Sequence, residues 1–253
     1  MSFNIGFFMN SAIDNNRHTL VIEGSIGAGK STFLSLMNKY LDINPVFEPV
    51  DQWQNVGGGQ NLLQKFYEDT SRWAYTFQTF AFVTRVVQQN NNLLNGHPVQ
   101  VLERSVYSDR YVFAKNCFEM GLMSALEWQL YQDWFTWLVD NYTHRPTGFI
   151  YLRTSPEVCY ERIKLRERSA ESSISLDYLK RLHDKHEQWL IERQQIASWL
   201  SDVPVLVLSC DNDFENNVSE QMQHMDSING AFGVQYCQEQ SNKIGLNNGE
   251  KLL

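Results

Sequence analysis

The sequence lacks the features that mark several large classes of protein. Its four cysteines, Cys117, Cys159, Cys210 and Cys237, are far apart and form no CxxC pair, which excludes a zinc ribbon and a disulfide framework and favours a reducing compartment. No apolar run approaches the roughly 20 residues that a membrane span needs. Basic residues are too few for a sequence-blind nucleic-acid binder, since 21 of them against 29 acidic residues leave a net charge of -8. The 253 residues, 43% of them hydrophobic, therefore predict a globular enzyme.

The two ends differ from the middle of the chain. Residues 1–17 have a short apolar patch without a basic region ahead of it, and their charges do not make a clear mitochondrial transit peptide. We expect a flexible N-terminal lead there and a cytoplasmic protein. Residues 226–253 are rich in Gly, Asn, Gln and Ser, a composition that predicts a loose tail. One domain over 18–225 remains.

Strand and helix patterns alternate through that domain. Short apolar runs predict buried strands at 18–23, 45–48, 98–103, 148–153 and 204–209. Helical patterns lie between them, at 30–41, 71–94, 106–119, 124–141, 156–167 and 175–200. Alternation of this kind predicts an α/β fold, with a five-stranded parallel sheet flanked by helices.

A glycine-rich loop lies between the first strand and the first helix. It matches the phosphate-loop pattern GxxxxGK[ST] with the residues Gly24, Ser25, Ile26, Gly27, Ala28, Gly29, Lys30 and Ser31, and Thr32 follows. Glycines allow the tight turn that aims backbone N–H groups at phosphate oxygens. Lys30 is then expected to reach the β- and γ-phosphates of a nucleoside triphosphate, and Ser31 to bind Mg²⁺.

The 71–94 helix has two distinct faces on a helical wheel. One is predicted to be a core stripe, made of Trp73, Phe80, Val83 and Val87. The other consists of Phe77, Gln78, Ala81 and Arg85. An aromatic ring, an amide and a guanidinium suit a nucleobase, because an amide offers both the donor and the acceptor that a base edge requires. A solvated face with a stray aromatic residue is the alternative.

A series of motifs in one order carries a family resemblance. They are Glu48-Pro49-Val50 with Trp53, Asn61-Leu62-Leu63, Phe66-Tyr67, Arg72-Trp73, Phe77-Gln78-Thr79 and the run from Glu103 to Tyr111. Over about 18–215 the sequence resembles the deoxynucleoside kinase family, in particular its deoxycytidine, deoxyguanosine and deoxyadenosine kinase branch. The resemblance implies a P-loop kinase fold with an arginine-rich lid. It also implies transfer of phosphate from ATP, or another nucleoside triphosphate, to a deoxynucleoside 5′-hydroxyl in nucleotide salvage.

The resemblance assigns roles around the sugar and the phosphate. Glu48 is implied as the general base that accepts the proton of the 5′-hydroxyl. Arg104 would hold the 5′ oxygen and the transferring phosphate, and Glu103 would help to hold Mg²⁺. Tyr67 and Glu171 match the family's clamp on the 3′-hydroxyl.

The resemblance also assigns the base pocket. Gln78 would bond the base and Phe77 would stack on it, while the remaining walls are Trp53, Leu63, Phe66 and Phe113. With Ala81, an Arg85–Asp109 pair accompanies cytosine and purine substrates in the family, so thymidine is expected to be disfavoured. An ordinary ion pair, which contributes little if it is exposed, is the alternative for these two residues.

An arginine-rich segment follows the fourth strand. Charge patterning alone favours a solvated helix for Arg162, Arg166 and Arg168, whereas the family has a lid there that closes over ATP. Arg166 is further expected to stack on the donor base opposite Phe214, and Asp213-Phe214 matches the family's donor-base loop. Glu167 and Ala170 depart from the usual lid pattern.

Apolar residues spread over about 200° of the 124–141 helix, which is more than one sheet-facing side needs. They include Leu126, Trp128, Leu130, Tyr131, Phe135, Trp137 and Leu138. This pattern predicts a subunit interface, in agreement with the homodimers of the family, although burial between helices of one subunit would also explain it. Two other functions stay open at this stage: a thymidylate-kinase-like monophosphate kinase and a non-catalytic structural member of the same family.

Overall fold

The structure is a computed structural model in which residues 18–93, 96–166, 168, 171 and 173–238 are described. The predicted N-terminal lead, the end of the predicted tail and the two lid departures, Glu167 and Ala170, lie outside these residues. Within the described ranges, no helix combines the length and the apolar character that crossing a bilayer requires.

A parallel sheet forms the centre of the described part. Its strands are β1 His18–Glu23, β2 Asn44–Val46, β3 Val99–Glu103, β4 Gly148–Arg153 and β5 Val205–Ser209. Their order is β2-β3-β1-β4-β5, and every neighbouring pair is parallel. The predicted five-stranded sheet is therefore confirmed. The chain extends the sheet to both sides of β1, and open sheets of this kind bind ligands where that direction changes, beyond the carboxyl ends of the strands.

Helices cover both faces of this sheet. They are α1 Lys30–Tyr40, α2 Val50–Gln54, α3 Leu62–Glu68, α4 Thr70–Leu93, α5 over 106–119, α6 Ala125–Tyr142, α7 Pro156–Leu165, α8 Leu176–His186 and α9 Val218–Phe232. The middle of α5, Asp109–Ala114, is a π-helical turn, and α8 continues into another one at Glu187–Ile191. Capping side chains fix several helix starts: Asn61 accepts from the Gln64 N–H at 2.8 Å, and Ser124 forms a capping box with Glu127.

Apolar side chains of α1, α7 and α9 pack on one face of the sheet, and those of α4, α5 and α8 pack on the other. β1 is buried from its second residue to its last. A third cluster, away from the sheet, joins α2, α3 and α4 and forms the walls of the candidate acceptor pocket. The strands therefore end in a buried cleft between this third cluster and the glycine-rich loop.

Three sequence predictions about the fold are wrong in part. The predicted helix over 175–200 ends at Ile191, because Arg193 and Gln195 have positive φ, and a 3₁₀ turn follows at Ser198–Asp202. The predicted loose tail fails at its start, since α9 buries Met225 and Ile228.

The third error concerns the predicted core stripe of α4, all four members of which are only half-buried. The sheet-facing side of α4 is instead formed by Phe82 and Val86, which are 0% and 3% exposed. The face with mixed chemistry is the more deeply buried one. On this helix, polar side chains are therefore buried, whereas the predicted apolar stripe is partly exposed.

Candidate active site

The glycine-rich loop turns tightly between β1 and α1. Gly27 and Gly29 have φ of 83° and 89°, a region that other residues rarely adopt. A Cβ at Gly27 would run into the Cys159 carbonyl, and one at Gly29 would lie 2.7 Å from Cζ of Phe214. Only glycine fits at either position, and the loop opens directly into the N-terminus of α1, where anions bind favourably.

Lys30 and Ser25 are buried polar residues of this loop that have fewer hydrogen-bond partners than they could take. Lys30 is 5% exposed, and its Nζ donates to the Ser25 carbonyl at 2.8 Å. Burial, followed by the charge of Arg104, lowers the pKa of Lys30 to about 7. The Ser25 hydroxyl is buried and has no hydrogen-bond partner among the described residues. A bound polyphosphate would supply both the negative charge and the acceptors that these groups lack.

Ser31 and Glu103 meet across the cleft. The Ser31 hydroxyl donates to Oε1 of Glu103 at 2.6 Å, and Oε2 of Glu103 accepts from the Glu48 backbone N–H at 3.4 Å. A hydroxyl beside a carboxylate is the oxygen-only donor set that suits Mg²⁺, which takes its other ligands from water and phosphate. The described residues contain no cluster of three His, Cys, Asp or Glu side chains that could hold a metal by themselves. The pair therefore fits a metal that arrives with a nucleotide.

Arg104 has a strained backbone, with φ of 61°. Successive strand residues normally face opposite sides of a sheet. The left-handed conformation breaks this alternation, so that Glu103 and Arg104 both reach Glu48; Arg104 Nε lies 3.5 Å from its Oε1. The guanidinium lies 4.6 Å from the Phe113 ring centroid, and its Nε and Nη1 are buried with no hydrogen-bond partner in the described part of the chain. Nη1 is therefore available for an anion, whereas Nε already lies within ion-pair distance of Glu48.

Glu48 lies between two guanidinium groups. Arg85 Nη2 donates to its Oε1 at 2.8 Å, and Arg104 approaches the same oxygen. Burial alone would raise the pKa of Glu48, but the charges of Arg104, Arg85 and Lys30 outweigh it and lower the pKa. The side chain remains 17% exposed, so an ionised carboxylate faces the cleft and can accept a proton.

Arg85 and Asp109 form a buried pair beneath Glu48. Arg85 Nε and Nη2 donate to the two Asp109 oxygens at 2.9 and 3.2 Å, and Nη1 donates to the Glu103 carbonyl at 3.2 Å. Burial raises the pKa of Asp109 against the opposing effect of Arg85. The two residues are 6% and 3% exposed, so the pair is a buried one and not a solvated surface pair.

The predicted walls of the base pocket come together in one cluster. Phe77 stacks on Phe66 with ring centroids 4.7 Å apart and meets Trp53 edge-on at 5.6 Å. The Trp53 indole N–H donates to the Thr84 hydroxyl at 2.8 Å, which fixes the ring. Leu63 and Ala81 belong to the same cluster, Gln78 is buried on the same helix, and Phe113 lies beside Arg104. The structure thus gathers most of the predicted walls, with the Arg85 guanidinium 5.5 Å from the Trp53 ring centroid.

Glu171 connects the arginine-rich segment to the acceptor pocket. Arg166 Nε donates to Glu171 Oε2 at 2.7 Å, and Arg168 Nη1 lies 3.6 Å from Oε1. Burial, followed by the nearby charge of Glu171, raises the pKa of Tyr67. Tyr67 therefore stays a neutral hydroxyl next to a carboxylate. Such a pair can donate one hydrogen bond and accept another from an alcohol.

Phe214, predicted to contact the donor base, is buried beneath the glycine-rich loop. Phe214 is 4% exposed, and its ring packs beneath the loop against Phe33, with centroids 5.6 Å apart. Arg162, and not Arg166, lies over this ring at 5.7 Å, while its Nη2 donates to the Asn212 carbonyl at 2.8 Å. The expectation that a donor base lies between Arg166 and Phe214 stays a prediction, and it would require the buried Phe214 ring to become accessible. The neighbouring Asp213 is exposed and closes its own turn by accepting from two backbone N–H groups.

Three residues of this region were missed from the sequence. Glu23 ends β1 fully buried, Ser105 follows Arg104, and His186 lies buried at the end of α8. A carboxylate at the end of an apolar run, immediately before a phosphate loop, is a signal that could have indicated Glu23. For the other two, the sequence pattern contains no comparable signal.

Comparison with a family model and comparison with individual proteins give the same result. The family model described as deoxynucleoside kinase matches residues 20–232. Deoxycytidine kinase 2 of Gallus gallus is 41% identical, with 87% of this chain and 92% of the relative covered. The mitochondrial deoxyguanosine kinase of Xenopus laevis is 41% identical, covering 78% and 83%, and the deoxycytidine kinase of Homo sapiens is 41% identical, covering 77% and 84%.

Proposed function

The chain belongs to the deoxynucleoside kinase family, and from this premise we propose that it transfers the γ-phosphate of ATP to the 5′-hydroxyl of a deoxynucleoside. Membership confirms the resemblance read from the motifs. The observation that carries the proposal is the ionised, partly exposed Glu48, held by Arg85 and Arg104 beside the phosphate loop. A base in that place suits proton abstraction from an alcohol as it attacks phosphorus.

The proposed reaction assigns one task to each group. Glu48 takes the proton of the 5′-hydroxyl while the hydroxyl oxygen bonds to the γ-phosphorus. The bond from that phosphorus to the β,γ-bridging oxygen breaks, and ADP is released. Lys30 and the unpaired Nη1 of Arg104 stabilise charge on the transferring group. Mg²⁺, held by Ser31 and Glu103, would neutralise the phosphate oxygens when bound. Arg162, Arg166 and Arg168 are proposed to complete this positive surface on the nucleotide side.

The base preference is part of the proposal. Gln78 with the Arg85–Asp109 pair offers both donors and acceptors to deoxycytidine, deoxyadenosine or deoxyguanosine. Two of the relatives are named deoxycytidine kinases and one a deoxyguanosine kinase, which supports the same group of bases. Thymidine is expected to be a poor substrate, because Arg85 occupies the place where the 5-methyl group needs an apolar wall.

A transfer assay tests the proposal. Purified protein with ATP and Mg²⁺ is offered deoxycytidine, deoxyadenosine, deoxyguanosine, thymidine and dTMP, beside a Glu48→Gln variant. Glu157→Gln, an exposed glutamate paired with Lys180 at 3.7 Å, is the matched control. We expect turnover of the first three nucleosides, a loss of about 10²- to 10⁴-fold in kcat for Glu48→Gln, and no loss for the control.

Other outcomes would point to the two alternatives. Turnover of dTMP alone would indicate a monophosphate kinase. ATP binding without turnover of any acceptor would indicate a non-catalytic structural member of the family. Neither is favoured by the site, since an ionised Glu48 suits a free 5′-hydroxyl and the Tyr67–Glu171 pair suits a free sugar.

The subunit arrangement is a further part of the proposal. Along α6, Leu126, Leu130, Trp134 and Trp137 are 69%, 41%, 49% and 48% exposed, while Tyr131 and Phe135 are buried beneath them. An exposed apolar stripe of this kind supports the predicted homodimer. Light scattering on the eluted protein tests it against a Trp134→Glu and Trp137→Glu double variant. We expect dimer mass for the wild type and monomer mass for the variant; a monomeric wild type at micromolar concentration would exclude the dimer.

The cytoplasm is proposed as the compartment. All four cysteines are free, and three of them are buried, as expected where thiols stay reduced. One relative is named a mitochondrial kinase, so fractionation with a mitochondrial marker is the test. Co-purification with that marker would overturn the proposal.

A further inference from the structure

Glu23 has no part in the reaction above, although it is buried in the middle of the site. It is the last residue of β1, immediately before the phosphate loop, and it is 0% exposed. Oε1 accepts from the Ser105 hydroxyl at 2.6 Å, and Oε2 has no hydrogen-bond partner among the described residues. Burial raises the pKa of this carboxyl to about 7. Burying a carboxylate in this way is costly, and the three residues before it, Leu20, Val21 and Ile22, have the apolar side chains that would avoid the cost.

Ser105 is the residue through which Glu23 can act. A hydroxyl has one proton to donate and lone pairs to accept with. The Ser105 proton goes to Glu23, so its lone pairs are left to accept from the N–H groups of Tyr107 and Ser108, at 3.2 and 3.4 Å. These are the contacts that cap the start of α5. Glu23 therefore orients the hydroxyl that caps α5.

The strained residue Arg104 lies directly before this cap. A non-glycine residue with φ near 61° is strained, and it persists only where its neighbours fix it. On one flank the Arg104 N–H donates to the Ile22 carbonyl at 2.9 Å. On the other flank Ser105 is fixed by Glu23. Two adjacent residues of β1, Ile22 and Glu23, thus hold the strained backbone from both sides.

We infer that Glu23 is a positioning residue: by fixing Ser105, it keeps Arg104 in the left-handed conformation that brings its guanidinium to Glu48. The inference rests on the proposed function, because Arg104 is assumed to meet the transferring phosphate. If Arg104 relaxes toward the ordinary strand conformation, its side chain turns to the opposite face of the sheet. The expected loss therefore falls mainly on contacts to phosphate, because the proposed contacts to the base and the 3′-hydroxyl do not involve Arg104.

Binding measurements separate this role from a general loss of structure. Calorimetric titration with deoxycytidine and with dCMP is carried out on the wild type, Glu23→Leu, Glu23→Gln, Ser105→Ala and Ser105→Thr. We expect Glu23→Leu and Ser105→Ala to weaken dCMP about 10- to 100-fold while deoxycytidine changes less than about 3-fold. Glu23→Gln and Ser105→Thr keep the acceptor and the donor, and are expected to stay within about 3-fold for both ligands.

Kinetics on the same variants give a second reading. We expect kcat to fall about 10- to 100-fold in Glu23→Leu and Ser105→Ala, with the KM for ATP unchanged. Their double variant should be no worse than the poorer single one, because both changes remove one interaction. Where Glu23→Leu does not fold, as its thermal transition would show, Ser105→Ala against Ser105→Thr carries the test.

Several results would overturn the inference. Equal losses for deoxycytidine and dCMP would indicate a structural role, and unchanged dCMP affinity in Ser105→Ala would remove Ser105 from the argument. A Glu23→Gln variant as poor as Glu23→Leu would show that charge, and not the hydrogen bond, matters. A wild type that binds and phosphorylates no nucleoside would instead contradict the proposed function, and the inference would fall with it.

Discussion

Arg85 and Asp109 are joined inside the protein by two hydrogen bonds, from Nε at 2.9 Å and from Nη2 at 3.2 Å. The same guanidinium also holds Glu48 at 2.8 Å. One side chain of α4 therefore links the base end of the pocket to the group proposed to take the proton. The residues proposed for specificity and for catalysis thus share one buried guanidinium, and a change at Asp109 is expected to alter Glu48.

This sharing predicts an unequal response to single and double substitution. Asp109→Ala leaves Arg85 buried with one counter-charge fewer, and we expect the free energy of unfolding to fall by about 3–5 kcal/mol. The Arg85→Met and Asp109→Ala double variant removes both charges and should recover much of this loss. Its preference should also move toward thymidine. Urea unfolding and kcat/KM for thymidine against deoxycytidine are the measurements.

An exposed pair supplies the control for that experiment. Lys164 and Glu161 lie 3.5 Å apart, with side chains 54% and 68% exposed. Lys164→Met should leave stability nearly unchanged, because exposed pairs contribute little. If the double variant at Arg85 and Asp109 is no more stable than Asp109→Ala, the desolvation argument is wrong.

The sequence predicted those parts of the molecule that depend on local patterns. The strands, the phosphate loop and the long α4 helix follow from runs of neighbouring residues, and the structure has them within a few residues of the predicted bounds. The sequence also separated the mixed face of α4 from its other faces, although the burial of that face was not predicted. Arg85 is buried because a partner 24 residues away accepts its hydrogen bonds, and no wheel of one helix contains that partner.

Contacts between distant segments account for the errors. The hydrogen bond from Ser105 to Glu23 joins residues 82 positions apart, so neither residue stood out alone. The polar composition after residue 226 predicted a tail, but Met225 and Ile228 fill the core on the α1 face and Gly233 ends α9 in a left-handed cap. Composition reports an average, whereas a few apolar residues at helical spacing are enough to dock a helix.

Glu171 is predicted to sense the 3′-hydroxyl of the acceptor. Replacing it with Ala removes the acceptor beside Tyr67, so deoxycytidine should lose about 10- to 100-fold in kcat/KM. A 2′,3′-dideoxycytidine has no hydroxyl to place there and should lose far less. The measurement is the ratio of kcat/KM for deoxycytidine to kcat/KM for 2′,3′-dideoxycytidine, and this ratio should approach one in the variant.

A control is needed because Glu171 also holds Arg166. Tyr67→Phe removes the other half of the clamp and leaves that ion pair intact, so it should lower the ratio as well. If Glu171→Ala weakens both substrates equally while Tyr67→Phe weakens neither, Glu171 acts through the lid arginines and not through the sugar.

His186 is predicted to make the protein sensitive to acid. Its Nδ1 lies 2.7 Å from the Leu182 carbonyl and must donate, and its ring is parallel to that of Tyr151 with centroids 5.9 Å apart. Burial, and then the charges of Arg104 and Lys30, lower the pKa of His186 to about 3 from an ordinary value of 6.5. Between those values the unfolded chain binds the additional proton, so stability is present above about pH 6.5 and is lost as the pH falls below it.

The size of this effect can be measured by difference. Urea unfolding at pH 7, 6 and 5 should show the wild type losing up to about 1.4 kcal/mol per pH unit more than His186→Gln does. The variant is expected to be less stable at pH 7, since its ring contacts are gone, but to have the shallower acid profile. Parallel profiles would mean that His186 takes up its second proton as readily in the folded state as in the unfolded chain.

Phe214 is predicted to support the phosphate loop and not the donor base. Because its ring is buried against Phe33 and fills the space beside Gly29, Phe214→Ala should cost about 3–5 kcal/mol of stability and loosen the loop. ATP, GTP and UTP have the same triphosphate, so their affinities should fall by one common factor. Displacement of a fluorescent nucleotide measures all three, with Phe214→Leu as the variant that keeps most of the packing and should keep most of the affinity. A loss concentrated on ATP and GTP, with UTP unaffected, would instead show that the ring stacks on a purine, and would require it to leave the core when nucleotide binds.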